Sequence, residues 1–303
     1  MSLRPTFART ITELSESDPR LVTIVGDISH GIFKDLRNSQ PSRYFNIGIC
    51  EPGMLGIASG LSAKGLIPVV HTITPFLIER SFEQIKLDFG YQKLGVNLVS
   101  VGGAFDYSKL GCTHHSYSDY ALLSQIDSCN IFFPGSDIEF ETLFRKNYTN
   151  EAINYYRLTE FPHQIEISRD KIETGKPIRI AYGRDVTLIA VGSSLKQAFH
   201  SLEFLNSRDI SVDLIYLHTL KPLDTEMILD SLVETKKLVV VSQTYRRGGI
   251  SQEILSAIPR SLPFIFESLE INDFLREYGT YDFLLRESGL DVEQITSKVL
   301  ALF

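Results

Sequence analysis

The sequence predicts an α/β protein of two consecutive domains with largely parallel sheets. Short β-rich runs alternate with longer stretches of helical apolar spacing, and this alternation is typical of parallel sheets with helical crossovers. The chain has 303 residues, enough for roughly two domains that each bury a core. Hydrophobic residues make up 43% and charged residues 22%, so the composition is that of a folded protein.

The first half of the chain carries five strand-like runs separated by helical stretches. The apolar, β-branched runs predict strands at 21–25, 67–70, 97–101, 130–133 and 153–156. Helical spacing between them predicts helices at 52–64, 76–91 and 137–148. We expect residues 1–165 to form the first domain.

A second α/β unit follows a segment with weak periodicity. Residues 166–182 are largely polar and contain Gly175 and Pro177, so they are predicted to be an interdomain linker. The predicted second domain spans 183–303. Its strands are expected at 186–191, 212–217, 238–242 and 264–266, and its helices at 194–206, 225–235, 251–258 and 292–302.

Charge and targeting signals narrow the class of protein. The 30 basic and 37 acidic residues leave a formal charge of −7, which opposes polyanions and disfavours nucleic-acid binding. No apolar run approaches the roughly 20 residues that span a bilayer, and the start lacks a signal-peptide core. We therefore expect a cytoplasmic protein without a membrane partner. The three cysteines show no disulfide or zinc spacing.

Glu51 is the first candidate functional residue. It stands where an apolar run meets a Gly-punctuated helical stretch. A Glu in the first turn of a helix is commonly only a favourable partner for the helix dipole. The functional alternative is a carboxyl aimed into a crevice at the carboxyl end of a parallel strand, where α/β proteins bind ligands.

Two further segments combine chemical groups. Phe76 begins an aromatic stretch that either fills the core or stacks on a planar ring. His114 and His115 follow Thr113 in a polar turn, where imidazoles can transfer protons or contact anions. A metal site is not indicated, because the side chains of neighbouring residues diverge and no other ligand cluster is evident. Asp27 closes the first strand and is explained equally well by a turn.

Taken in order, these segments resemble the carboxy-terminal half of transketolase over nearly the whole chain. The resemblance depends on the order of four motifs: Asn46-Ile47-Gly48-Ile49-Cys50-Glu51-Pro52-Gly53-Met54, Thr113-His114, Pro134-Gly135-Ser136-Asp137 and Leu220-Lys221-Pro222-Leu223-Asp224. It implies a pyrimidine-binding domain followed by the family's C-terminal domain. It also implies a transferase that moves a two-carbon ketol unit between sugars.

The resemblance assigns roles to four residues. Glu51 matches the family's Glu that hydrogen-bonds the aminopyrimidine of thiamine diphosphate and promotes loss of the thiazolium proton. Phe76 would stack on the pyrimidine, and His114 would contact the reacting oxygens. Asp27 would contact the cofactor region. Glu51 and His114 are thus the expected catalytic residues.

One family motif is missing from the sequence. Thiamine-diphosphate enzymes hold the diphosphate and its Mg²⁺ through a Gly-Asp-Gly followed by an Asn, and this chain has no Gly-Asp-Gly. A diphosphate needs cationic compensation, so we expect a partner, the N-terminal-half (alpha) subunit, to carry this motif. The chain would then be one subunit of a split transketolase. The family architecture implies a heterotetramer.

Departures from the family bear on the substrate, which we expect to be a small sugar. Leu110 stands where transketolases carry an Asp that reads a sugar hydroxyl, and Leu110 cannot accept that hydrogen bond. Arg157 matches one of the family's phosphate-binding arginines. We expect both residues to line the substrate site, and the donor or acceptor to be unusual.

Three other functions remain open from the sequence. One is the beta subunit of a 2-oxo acid dehydrogenase, although its His-Ser-Gln turn is unlike Thr113-His114-His115. Another is a condensation like that of deoxyxylulose-phosphate synthase, which shares the Thr-His turn. The third is a non-catalytic scaffold that kept the fold, against which the retention of Glu51, Phe76 and His114 argues.

Overall fold

The computed structural model describes residues 2–303 and contains two α/β units. The first unit consists of α1 (Arg4–Ser17), β1 (Leu21–Val25), α2 (Lys34–Ser39), β2 (Tyr44–Asn46), α3 (Glu51–Ser62), β3 (Ile67–Ile73), α4 (Phe82–Gln84), β4 (Val96–Val101), α5 (Asp119–Leu123), β5 (Cys129–Phe132), α6 (Asp137–Asn147) and β6 (Ile153–Leu158). The second consists of β7 (Ile178–Ala181), β8 (Val186–Val191), α7 (Leu195–Asn206), β9 (Val212–Leu217), β10 (Thr219–Lys221), α8 (Glu226–Thr235), β11 (Lys237–Tyr245), α9 (Ile250–Ala257), β12 (Ile265–Ile271), α10 (Tyr281–Glu287) and α11 (Val292–Leu300).

The strands form two largely parallel sheets, which confirms the predicted fold class. The larger sheet has the order β10-β5-β6-β4-β3-β1-β2 and the smaller β12-β11-β8-β9-β7. Only β10 in the first sheet and β7 in the second run antiparallel to their neighbours. Every residue of β1, β4, β6, β8 and β9 is buried. Helices therefore cover both faces of these strands, as in α/β proteins.

A short strand joins the two units. β10 follows β9 of the second sheet but pairs with β5 at the edge of the first sheet. Just beyond β5, the Phe133 N–H donates to the His218 carbonyl over 2.8 Å. Lys221 Nζ donates to the carbonyls of Ser124 and Ile126, both over 2.8 Å. The second unit therefore supplies the edge strand of the first sheet.

The apolar core is continuous across this junction. One cluster of buried residues contains Phe132 and Tyr156 from the first sheet together with Leu188 and Tyr216 from the second. Phe132 and Tyr156 stack, with ring centroids 4.8 Å apart. The apolar cores of the two sheets are therefore continuous with each other.

The single helix predicted at 76–91 is wrong in detail. The structure has a π-helical turn at Pro75–Glu79, the short α4, and a second π-helical stretch at Ile85–Tyr91. The Arg80 N–H donates to the Pro75 carbonyl five residues back, and Ser81 leaves helical backbone angles. One extra residue in the turn shifts the side chains of Glu79 and Arg80 relative to a regular helix.

The sequence pattern did not predict α1, the shorter helices α2, α5 and α10, or three short strands. In α1 the buried residues Phe7, Ile11 and Leu14 recur at helical spacing, so the periodic signal was present. The strands β2, β7 and β10 have only three or four residues, too few to show a period. β7 lies within the predicted linker 166–182 and pairs with β9 in the second sheet.

The structure also bears on the membrane prediction. Among residues 2–303, no helix is both long and apolar enough to cross a bilayer.

Candidate active site

Several strands of the first sheet end at one edge, and the candidate residues follow them. Parallel strands place their carboxyl ends at the same edge of a sheet. Asp27 follows β1, Glu51 follows β2 and Phe76 follows β3. The loop with Leu110 and His114 follows β4. The topology thus brings together most of the residues that the sequence singles out.

Glu51 begins α3 and is buried, with its side chain only 2% exposed. Its Oε2 accepts a hydrogen bond from Arg80 Nη1 over 2.9 Å. A carboxylate in the first turn is also favoured by the helix dipole. The charge of this buried acid is therefore balanced by one guanidinium that reaches it from a more exposed position.

Phe76 lies between Arg80 and His114. The Arg80 Cζ atom is 4.3 Å from the centre of the Phe76 ring. The His114 ring meets Phe76 edge to face, with centroids 5.3 Å apart. The Phe76 side chain is partly exposed, so part of its aromatic surface is accessible.

The two adjacent histidines point in different directions. His114 is partly exposed, and its ring lies near Phe76 and Tyr107. His115 is buried, and its Nδ1 lies 2.9 Å from the Tyr117 hydroxyl. Burial lowers the pKa of His115. Because His115 is buried, His114 is the candidate of the two for contact with a substrate.

Glu79 connects the π-helical turn to the histidine loop. Its Oε1 accepts hydrogen bonds from Ser116 Oγ over 2.8 Å and from Ser118 Oγ over 2.6 Å. The two serines flank Tyr117 just after the histidines. The segment with Phe76 and the loop with His114 are thereby held together.

Asp27 lies at the exposed end of β1 with a positive φ of 64°. Its N–H donates to Asn46 Oδ1 over 3.0 Å, and Asn46 Nδ2 donates to Asp27 Oδ1 over 3.2 Å. Nearby, His71 Nδ1 donates to the Val99 carbonyl over 2.7 Å, and Nε2 accepts from Ser29 Oγ over 2.9 Å. Burial lowers the pKa of His71 to about 4, so its ring is neutral. Through Ser29 this ring holds the turn that contains Asp27.

Leu110 and Arg157 occupy very different environments. The Leu110 side chain is 51% exposed on the loop after β4. The neighbouring Gly111 has a φ of +74°, and a Cβ there would clash with the Tyr278 ring, so the second unit packs against this loop. Arg157 is buried, with its Nη1 3.2 Å from Asp119 Oδ1 and its Cζ 3.6 Å from the Phe133 ring centre. To reach a substrate, Arg157 would have to leave Asp119.

The structure adds Arg80, Glu79 and Tyr107 to the residues that the sequence indicated. Arg80 is four residues after Phe76, a spacing at which side chains on a regular helix meet, and the two residues are also in contact across the π-helical turn. The Tyr107 ring lies near His114, and burial raises the pKa of Tyr107 to about 12, so its hydroxyl stays protonated. In the described part of the chain, no group of three or more His, Cys, Asp or Glu side chains is placed to hold a metal ion.

Comparison with known families decides the relationship. Residues 1–159 match the family model described as transketolase, pyrimidine binding domain, and residues 175–295 match transketolase, C-terminal domain. The chain belongs to the transketolase family. Glu51, Phe76 and His114 lie in the part that matches the pyrimidine-binding domain. Tyr278, from the part that matches the C-terminal domain, packs against the His114 loop at Gly111.

Individual transketolase relatives match along the whole chain. A 6-deoxy-6-sulfo-D-fructose transketolase subunit of Clostridium sp. is 27% identical, covering 97% of this chain and 92% of the relative. An apulose-4-phosphate transketolase subunit of Phocaeicola vulgatus is 26% identical, covering 99% and 97%. A solved structure titled split gene transketolase, inactive beta4 tetramer, is 26% identical with a TM-score of 0.90, covering 99% and 98%.

Longer relatives of this chain are named as another enzyme, a synthase. The 1-deoxy-D-xylulose-5-phosphate synthase of Syntrophotalea carbinolica is 28% identical over 97% of this chain, which spans only 47% of that enzyme. Two-domain and longer proteins of this superfamily thus share the same pair of domains.

Proposed function

We propose that this chain is the C-terminal (beta) subunit of a thiamine-diphosphate-dependent transketolase-like enzyme. It would transfer a two-carbon ketol unit between sugars or sugar phosphates. The observation that carries the proposal is the group of Glu51, Phe76 and His114 at one edge of the first sheet. A buried carboxylate and an accessible aromatic face are connected there through Arg80, and a partly exposed imidazole contacts the same aromatic ring.

The residues fit the aminopyrimidine half of the cofactor. The Glu51 carboxyl would share a proton with the ring nitrogen of the pyrimidine at a position shielded from water, where such a hydrogen bond is strong. Phe76 would pack against the ring, and Asp27 lies at the neighbouring strand end. When bound, thiamine diphosphate supplies the carbon nucleophile that carries the ketol unit.

The remaining residues would handle the substrate. His114 would donate to or accept from the sugar oxygens, since an imidazole works as both acid and base near neutral pH. Glu79 would keep the His114 loop in place through its two serine hydrogen bonds. Leu110 and Arg157 remain proposals for the substrate site.

A partner would hold the diphosphate and Mg²⁺. Two full-length relatives are named as transketolase subunits, and the structural neighbour is titled a split gene transketolase. The chain has no Gly-Asp-Gly in its sequence. We therefore propose an N-terminal-half (alpha) partner with the Gly-Asp-Gly…Asn motif, in a heterotetramer.

Calorimetry with thiamine diphosphate and Mg²⁺ tests the assignment. We expect tight binding only when the chain is mixed with the protein that copurifies from its source. The absence of binding in both samples would favour a scaffold, and tight binding by this chain alone would contradict the shared site.

Glu51→Gln tests the role of the carboxyl within the assembled complex. The variant should fold and assemble, but it should lose hydrogen–deuterium exchange at the thiazolium carbon. Glu83→Gln, on α4, is a matched control. Normal exchange in Glu51→Gln would contradict the assignment of Glu51.

The synthase relatives favour a second candidate activity, a condensation that begins with a 2-oxo acid. Release of carbon dioxide from pyruvate by the assembled complex separates the two. A transketolase would instead transfer the ketol unit from a ketose without releasing carbon dioxide.

A further inference from the structure

Arg80 makes two contacts with one guanidinium. Its Nη1 donates to Glu51 Oε2 over 2.9 Å, and its Cζ lies 4.3 Å from the centre of the Phe76 ring. We assign both partners, Glu51 and Phe76, to the binding of the cofactor's aminopyrimidine. One side chain of this chain thus covers the carboxylate and the aromatic face together.

The two ends of the ion pair differ in exposure. The Glu51 side chain is 2% exposed at the start of α3, whereas the Arg80 side chain is 46% exposed. An exposed arginine can rotate into solvent with little loss of packing, but a buried carboxylate has no such alternative. Any rearrangement at this site therefore moves Arg80 and leaves Glu51 in place.

The backbone near Arg80 is anchored. Its N–H donates to the Pro75 carbonyl, and the preceding Glu79 accepts hydrogen bonds from Ser116 and Ser118. The segment therefore stays fixed against the His114 loop. Only the Arg80 side chain is free to leave.

A guanidinium and an aminopyrimidine have similar shapes. Both are planar, and both pack against an aromatic ring. The guanidinium offers the carboxylate N–H donors, whereas the pyrimidine offers a ring nitrogen that shares a proton with the carboxyl. They cannot occupy the same ring face and the same carboxylate oxygen at once. We propose that Arg80 is a displaceable stand-in for the aminopyrimidine: it holds Glu51 and Phe76 until the cofactor exchanges with it. This inference rests on the proposed function.

The exchange has a measurable consequence. Displacement replaces the Arg80 donor with the pyrimidine ring nitrogen. A proton shared between that nitrogen and the Glu51 carboxyl takes the place of the guanidinium charge, so no uncompensated carboxylate stays buried. The apparent dissociation constant of a ligand rises as the open fraction of its site falls. If Arg80 covers the site about nine-tenths of the time, its removal tightens cofactor binding about tenfold.

The test compares Arg80→Met with the wild type in the complex with the copurifying partner. Methionine keeps much of the stem and removes the charge and its donors. Arg184→Met is the control, because Arg184 pairs with Glu234 in the second unit. Calorimetry at fixed Mg²⁺ should give an about tenfold lower dissociation constant for thiamine diphosphate in Arg80→Met only. Unchanged or weaker binding would overturn the exchange.

A second measurement uses the full chain without partner or cofactor. Arg80→Met should lower the melting temperature because it leaves the buried Glu51 charge uncompensated, and adding Glu51→Gln should restore part of the loss. Additive effects of the two substitutions would show that Arg80 does not support Glu51. A wild-type complex that binds no thiamine diphosphate would overturn the proposed function as well, whereas binding without tightening in Arg80→Met overturns the exchange alone.

Discussion

His163 Nε2 lies 2.7 Å from Glu139 Oε1, and neither side chain has any exposure to solvent. The Ile165 N–H donates to His163 Nδ1 over 3.0 Å, so the ring carries its proton on Nε2 and donates it to Glu139. The other carboxylate oxygen accepts from the Tyr216 hydroxyl and the Gly135 N–H, both over 2.7 Å. Because Tyr216 belongs to β9, one buried carboxylate links the two units.

This link predicts that acid weakens the fold through Glu139. Burial by itself would raise the pKa of Glu139, but hydrogen bonds to its carboxylate, from His163 and Tyr216 among others, oppose this, and the pKa is lowered on balance. A group with a lowered pKa contributes stability that is present above its pKa in the unfolded chain. That stability is lost as pH falls through its pKa in the folded protein. We expect Glu139→Gln to cost about 2 kcal/mol at pH 7.

Urea unfolding at pH 7 and below pH 4 measures this effect. The difference between the wild type and Glu139→Gln should shrink in acid, since the wild-type carboxyl then also takes up a proton. Glu166→Gln, at an exposed position, should change little at either pH. An equal difference at both pH values would contradict the prediction.

Asp106 should have the opposite pH dependence. Its carboxyl accepts from the Glu160 N–H over 2.9 Å and from Thr159 Oγ1 over 3.2 Å. Burial raises its pKa from 3.8 to about 7. A raised pKa means that the folded state favours the protonated acid. The stability that this group contributes is therefore fully present below the pKa of the unfolded chain, and it is lost as pH rises through the pKa of the folded protein.

The window for Asp106 thus runs from 3.8 to about 7. The loss across it is at most about 4 kcal/mol. Asp106→Asn removes the titrating group, so its free energy of unfolding should change less between pH 5 and pH 8 than that of the wild type. Parallel pH profiles in urea unfolding would count against this interpretation.

Arg157→Met should destabilise the fold. The Arg157 and Asp119 side chains are 7% and 0% exposed, and Asp119 Oδ2 also accepts from the Tyr155 hydroxyl over 2.7 Å. Removing the guanidinium leaves a buried carboxylate without its counter-charge, which costs about 3 kcal/mol. Urea unfolding measures the loss, and adding Asp119→Asn should recover part of it. An unchanged free energy of unfolding with a raised KM for a phosphorylated sugar would favour the substrate role.

Leu110→Asp should shift substrate preference. An exposed carboxylate on this loop would accept the hydrogen bond from a sugar hydroxyl that Leu110 cannot accept. We therefore expect kcat/KM for ordinary ketose phosphates to be about tenfold higher in Leu110→Asp than in the wild type. Val233→Asp, an exposed change on α8 in the second unit, is the control. Identical substrate profiles for Leu110→Asp and wild type would exclude Leu110 from sugar recognition.

The sequence predicted the buried strands best. The segments 186–191 and 212–217 match β8 and β9 at both ends, because strands covered on both faces read as unbroken apolar runs. The sequence pattern also placed Glu51 at a strand end, Phe76 in a helical stretch and His114 in a polar turn. What it could not give was the packing of side chains from distant segments. The contact of Arg80 with Glu51 depends on a local π-helical turn. This contact and that of Asp119 with Arg157 also depend on long-range packing that no local pattern encodes.

The pairing of β10 with β5 sets where this chain can be divided or recombined. A fragment that stopped at residue 165 would carry only six of the seven strands of its own sheet. The exposed edge of β5 would then be open to pairing with other molecules. A chimera that exchanges the second unit should therefore graft its crossover after Lys221 or bring a matching edge strand from the donor. Gene fusion and fission in this architecture are constrained by a three-residue strand as much as by the boundary between its domains.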